Sequence, residues 1–119
     1  MDEYPYSEVS FFDTSLKSLE MVKKNAQNFD LLERSKYLNL DWNVRDWDKK
    51  LMTIENNTKF DIVISNPPYI PTNDIKMLKK EVKKYDPFIA LNGGKDGLDS
   101  YRSILSKLKN IIKSNGKIF

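Results

Sequence analysis

The run Phe60-Asp61-Ile62-Val63-Ile64-Ser65-Asn66-Pro67-Pro68-Tyr69 sets an apolar segment against an abrupt stop. Ile62, Val63 and Ile64 are β-branched and apolar in succession, as expected of a strand covered on both faces. Two prolines then forbid continuation, because neither has an N–H for a neighbouring strand and each fixes its own φ. Asn66 is thereby presented at the carboxyl end of an expected parallel strand, where open α/β sheets bind their ligands. The Asn66 side-chain carbonyl and the Pro67 backbone carbonyl form a rigid pair of acceptors, with the Tyr69 ring beside them. Such a set can hold a planar amino group by both hydrogens and press a flat face against it. The competing reading is a plain loop starter, since Asn, Pro and Tyr are all common in turns.

Working outward, 119 residues allow at most one ordinary domain. No apolar run approaches the roughly 20 residues of a membrane span. Met1-Asp2-Glu3 has neither the basic start of a signal peptide nor an Arg-rich transit segment, so neither is expected. Cysteine and histidine are absent, which leaves carboxylates, amides, hydroxyls and a cofactor to carry any chemistry; no metal site is expected. The net charge of +3 rests on lysine, much of it at helical spacing (Lys79, Lys80, Lys83, Lys84), and reads as solvated helix faces rather than a nucleic-acid patch. The first glycine is Gly93, so nothing before it can be a Gly-rich nucleotide loop.

Elements follow from periodicity. Val9 to Phe12, ending at Asp13, reads as a strand. Thr14 or Ser15 can cap a helix to about Asn28, with Leu16, Leu19, Met21, Val22 and Ala26 inward. Tyr37 to about Trp47 alternates loosely and predicts a second strand ending near Asp46-Trp47. Residues 52–58 read as a polar loop, and Phe60 to Ser65 as the next strand. Ile75 to Tyr85 predicts a short lysine-coated helix ended before Asp86-Pro87. Leu98 to about Lys113 predicts one amphipathic helix with Tyr101, Ile104, Leu105, Leu108, Ile111 and Ile112 as its stripe. Asn115-Gly116 would close it, and Lys117-Ile118-Phe119 would open another strand. Helices alternating with strands predict an α/β layered domain.

The residues around Asn66 resemble motif IV of the class I S-adenosylmethionine-dependent methyltransferases that act on nitrogen. Ile70-Pro71, Glu81-Val82, Tyr85-Asp86-Pro87, Ala90-Leu91, Gly93-Gly94, Asp96-Gly97-Leu98 and Tyr101-Arg102 extend that likeness. The series resembles the HemK/PrmC family, the release-factor glutamine N5-methyltransferases. Asp86-Pro87 stands where that family has Glu-Pro, a change that keeps the charge. The similarity is dense over about 60–105 and looser over 8–47.

The resemblance implies a methyl group passed from S-adenosyl-L-methionine to the side-chain amide of the Gly-Gly-Gln glutamine of a peptide chain release factor. It assigns Asn66, Pro67 and Tyr69 as catalytic, with Asn66, Pro67, Pro68 and Tyr69 gripping the glutamine. Asn66 would also touch the cofactor. Asp13 would accept from the cofactor ribose, with helix capping as the competing role. Asp46-Trp47 would sit beside the adenine, Asp41-Trp42 being a rival pair and core packing a competing role for either ring. Loop 92–97 would lie near the substrate or be an ordinary glycine turn. The implied fold is a partial Rossmann-like class I methyltransferase sheet, lacking the first strand with its Gly-rich loop and the last strands, with residues 1–119 as one partial domain. In that fold the first strand separates the second from the fourth, so strands 9–13 and 60–65 would share no neighbour. Weak cofactor binding, or none, is expected of the chain as written. The implied partner is a release factor in translation termination, with no direct nucleic acid, no membrane, and a monomeric state if complete; the compartment, cytoplasmic or mitochondrial, stays open. An adenine-N6 DNA or RNA methyltransferase fragment and a non-catalytic partner-binding half-domain remain as alternatives.

Overall fold

The computed structural model describes residues 4–77 and 88–119. Met1–Asp41 forms one compact unit and Trp42–Phe119 a second. Among the described residues both are α/β, each with one two-stranded parallel sheet.

In the first unit, strands β1 (Val9–Asp13) and β2 (Ser35–Asn39) pair in register from Val9 opposite Ser35 to Asp13 opposite Asn39. Helix α1 (Leu16–Asn28) makes the crossover between them. Its cap is Ser15, whose hydroxyl accepts from the Ser18 amide at 3.2 Å. Leu19 and Ala26 are buried, whereas Leu16 and Met21, expected inward, are exposed. Phe11 and Tyr37 stack across the strands with centroids 5.8 Å apart.

The second strand stops eight residues short of Trp47. The Asn39 side-chain Nδ2 donates to the carbonyls of Asp13 (3.1 Å) and Thr14 (3.0 Å), consuming acceptors at the strand end. Trp47 instead opens helix α2 (Trp47–Ile54), in the second unit. Trp47, Leu51 and Ile54 stand at helical spacing, and the first two are buried in the core of that unit with Met52. Asn56 and Asn57, expected as polar loop, take left-handed backbone and end α2, the Asn57 amide reaching the Met52 carbonyl at 2.7 Å.

Strand β3 (Phe60–Val63) pairs with β4 (Ile112–Ile118) in parallel. It is not covered on both faces: Ile62 is 49 % and Ile64 80 % exposed. Among the described residues β3 has one strand neighbour, β4, so its other edge has no strand beside it.

Residues 98–113 do not make one helix. Helix α3 (Phe88–Leu91) precedes α4 (Asp99–Leu105), which ends at Ser106-Lys107; α5 (Leu108–Ile111) then runs directly into β4. Ile104 and Ile111 are buried while Tyr101 and Leu105 face outward, so the apolar stripe is interrupted where the helix breaks. Gly116 lies inside β4 rather than closing a helix. Lys113 to Gly116 bulge opposite Asp61, and a Cβ on Gly116 would press into the Ile112 side chain. The expected helix over 75–85 falls mostly outside the described residues; Ile75, buried, sits in a 3-10 turn over Thr72–Met77. Among the described residues no helix is long and apolar enough to cross a membrane.

Candidate functional site

The β3–β4 ladder continues to the mouth of Asn66-Pro67-Pro68-Tyr69. The Phe119 amide donates to Val63 (2.9 Å) and the Ser65 amide to Phe119 (3.0 Å), so the chain stays extended until the residue before Asn66. Asn66 is exposed, Pro67 is buried, and Tyr69 is 60 % exposed. The buried proline fixes the backbone between an exposed amide and an exposed ring.

The exit from this turn is pinned by loop 92–97. Ile70 bridges to Asn92 in parallel, with the Ile70 amide donating to Leu91 (3.1 Å) and the Gly93 amide to Ile70 (2.8 Å). The Thr72 amide donates to Gly94 (2.8 Å). The Asn92 side-chain carbonyl accepts from the Thr72 hydroxyl (2.7 Å) and the Gly94 amide (3.1 Å). Asn92-Gly93-Gly94 belongs to the glycine loop read from the sequence, whereas its partner Thr72 carries no signal there. Gly97 has φ +81°, and a Cβ there would collide with the Tyr69 carbonyl oxygen.

Arg102 closes the loop from α4. Its guanidinium pairs with both Asp96 oxygens and with Asp99 at 3.1 Å. Asp96 also accepts from the Leu98 amide at 3.0 Å. The Arg102 hydrogen bonds, with that amide, hold the Asp96 carboxyl down to about 2.

In the first unit, Asp13 ends β1, and its Oδ1 accepts from the Ser15 amide at 2.7 Å. Capping of α1 belongs to Ser15, so Asp13 shapes the turn at the strand end instead. In the second unit, Asp46 precedes α2, is exposed, and lies 3.6 Å from Lys49. Trp47 is 2 % exposed, a core residue, while Trp42 is half-buried. Asp48, beside it and equally buried, accepts from Asn110 of α5 at 2.9 Å and faces the Lys107 ammonium at 4.0 Å. Burial pushes its carboxyl up, but Asn110, Lys107 and the helix-start amides outweigh burial and leave it below the ordinary carboxylate value. No metal-holding cluster of acidic residues occurs among the described residues.

Residues 7–119 match a family described as Eco57I restriction-modification methylase. The chain belongs to that methylase family. A release factor glutamine methyltransferase of Clostridium acetobutylicum is 42 % identical over 111 residues, 93 % of this chain and 36 % of that protein. One of Caulobacter vibrioides is 37 % identical over 114 residues, 96 % of this chain and 36 % of its own length. A bifunctional methyltransferase of Rickettsia bellii is 36 % identical over 118 residues, 98 % of this chain and 19 % of its own. The chain therefore spans about a third or less of the length of these curated relatives. The likeness to the glutamine methyltransferases is thus borne out across almost the whole chain and not only over 60–105.

Proposed function

We propose that this methylase-family chain takes part in methyl transfer from S-adenosylmethionine to the side-chain amide nitrogen of the Gly-Gly-Gln glutamine of a release factor. The observation that carries the reading is Asn66-Pro67-Pro68-Tyr69, held at the end of a parallel strand with Asn66 and Tyr69 outward and Pro67 buried between them. The relatives named for this reaction support it. In this reading residues 1–119 are part of a class I methyltransferase domain, Rossmann-like, carrying the ribose carboxylate and the substrate grip.

An amide nitrogen is a poor nucleophile because its lone pair is delocalised into the carbonyl. What the site must supply is placement. Asn66 Oδ1 and the Pro67 carbonyl accept the two N–H bonds of the glutamine amide and aim its nitrogen. In the best intramolecular cases such alignment removes about 7 kcal/mol of barrier. Tyr69 lies over the amide and keeps water away. Bound S-adenosylmethionine would supply an electrophilic methyl group, carried on a sulfonium, to that nitrogen. One amide proton then leaves to water, so no histidine is required.

Taken within each unit by itself, the donor chemistry suits parts of the cofactor's nucleoside end. Asp13, at a strand end and only partly buried, offers a carboxylate to paired ribose hydroxyls. Exposed Asp46 offers one to the adenine amine, with Asn66 against the methyl end. For the adenine face, Trp47 is buried in the core at the first turn of α2, and half-buried Trp42 is the remaining candidate ring.

The family description favours a second reading, in which the same acceptors hold the amino group of a nucleobase. Labelled methyl transfer to a Gly-Gly-Gln peptide, scored beside a DNA duplex, separates the two. Labelling of the peptide that disappears in Asn66→Ala is the expected result. Labelling of the duplex alone would overturn the glutamine assignment.

A further inference from the structure

Loop 92–97 meets the grip where Gly97 abuts the Tyr69 carbonyl, and the sequence places an ion network on that loop. Arg102 is bidentate to Asp96 and reaches Asp99 as well, on a surface where an isolated pair would be worth little. Asp96 in turn holds the Leu98 amide, which sets the turn through Gly97. Gly97 lies so close to the Tyr69 carbonyl that no side chain fits between them. From there the ladder through Gly93, Gly94 and Asn92 runs back onto Ile70 and Thr72. Every link from the guanidinium to Tyr69 is thus a hydrogen bond, a covalent step along the loop or a steric contact.

We propose that Arg102 is a positioning residue for the Asn66–Tyr69 grip: its pairing with Asp96 and Asp99 holds the glycine loop as a brace behind Tyr69. This inference rests on the reading of Asn66–Tyr69 as a substrate grip, but the brace itself is testable without substrate. Asp96 stays ionised far into acid, so the pair persists throughout the neutral range. Arginine is required for the fork, since lysine offers a point charge that cannot take both Asp96 oxygens at once.

The test is hydrogen exchange and side-chain NMR on the 119-residue chain, comparing Arg102→Gln, Arg102→Lys and Gly97→Ala with the parent. In Arg102→Gln, the amides of Thr72 and Gly93 should exchange about threefold faster, the scale of a surface ion network. The Asn66 side-chain amide and Tyr69 ring resonances should move with them, while the amides of Leu51 in α2 and of Glu55 at its C-cap keep their protection. Arg102→Lys should recover part of the change. Gly97→Ala, which strikes the brace sterically, should exceed Arg102→Gln at Thr72 and Gly93. Unchanged Asn66 and Tyr69 resonances in Arg102→Gln would overturn the proposal. So would equal loss of protection at Leu51 and Glu55, which would make Arg102 a general stabiliser. Failure of the peptide-labelling experiment removes the glutamine reading and leaves these exchange results to judge the brace on their own.

Discussion

Asn66 and Trp47 illustrate two different fates of a residue picked out by its chemistry. Asn66 is solvent-facing between an extended ladder and a buried proline, which is how an acceptor for an incoming amide must stand. Asn66→Ala removes one of two acceptors on the nucleophile; methyl transfer to a Gly-Gly-Gln peptide should fall about 100-fold or more, with thermal stability little altered. Trp47 is enclosed with Leu51 and Met52. Trp47→Ala should cost about 3–5 kcal/mol in chemical denaturation, the price of a large core void. A stacking Trp would show the reverse pattern, with unchanged stability and weakened cofactor affinity.

At the scale of elements, α2 and α5 are joined by the buried carboxylate of Asp48 through Asn110, with Lys107 preceding α5 close by. Because the folded carboxyl lies below its ordinary value of 3.8, the unfolded chain binds its proton first as pH falls. Stability from this group is therefore complete above about pH 5 and is lost as pH drops through 3.8 and below. Urea midpoints measured from pH 6 to pH 3 should decline, and Asp48→Asn should flatten that decline. A parallel decline in the variant would assign acid lability to other carboxylates. The missed helix itself was legible: Trp47, Leu51 and Ile54 recur at helical spacing, and Asn56-Asn57 are stop residues. The alternation over Tyr37–Val44 concealed it, because a short apolar run fits strand and helix periods alike. The break at Ser106-Lys107 was not legible, since the apolar stripe runs through it unbroken in sequence.

For the molecule as a whole, the consequential feature is surface rather than core. Ile62 and Ile64 lie outward, and among the described residues β3 is paired on one side only. An apolar edge of this kind invites association between chains. Ile64→Lys should lower concentration-dependent association in light scattering while changing the unfolding free energy by no more than about 0.5 kcal/mol. A large loss of stability would instead mean that Ile64 packs in solution.

Local chemistry, readable from sequence alone, determined β1 with its Asp13 terminus, the extent of α1, the parallel strand before Asn66 and the proline stop that presents it. Those features depend on residues close in the chain: β-branched runs, a serine cap, two missing N–H groups. Tertiary structure alone decided which tryptophan is core, that Asp48 is a buried partner of Asn110, and that Arg102 reaches Tyr69 through a glycine loop. Each of these rests on groups distant in sequence meeting in space. Burial and pairing are properties of that meeting, and no local pattern of apolar or charged residues contains them.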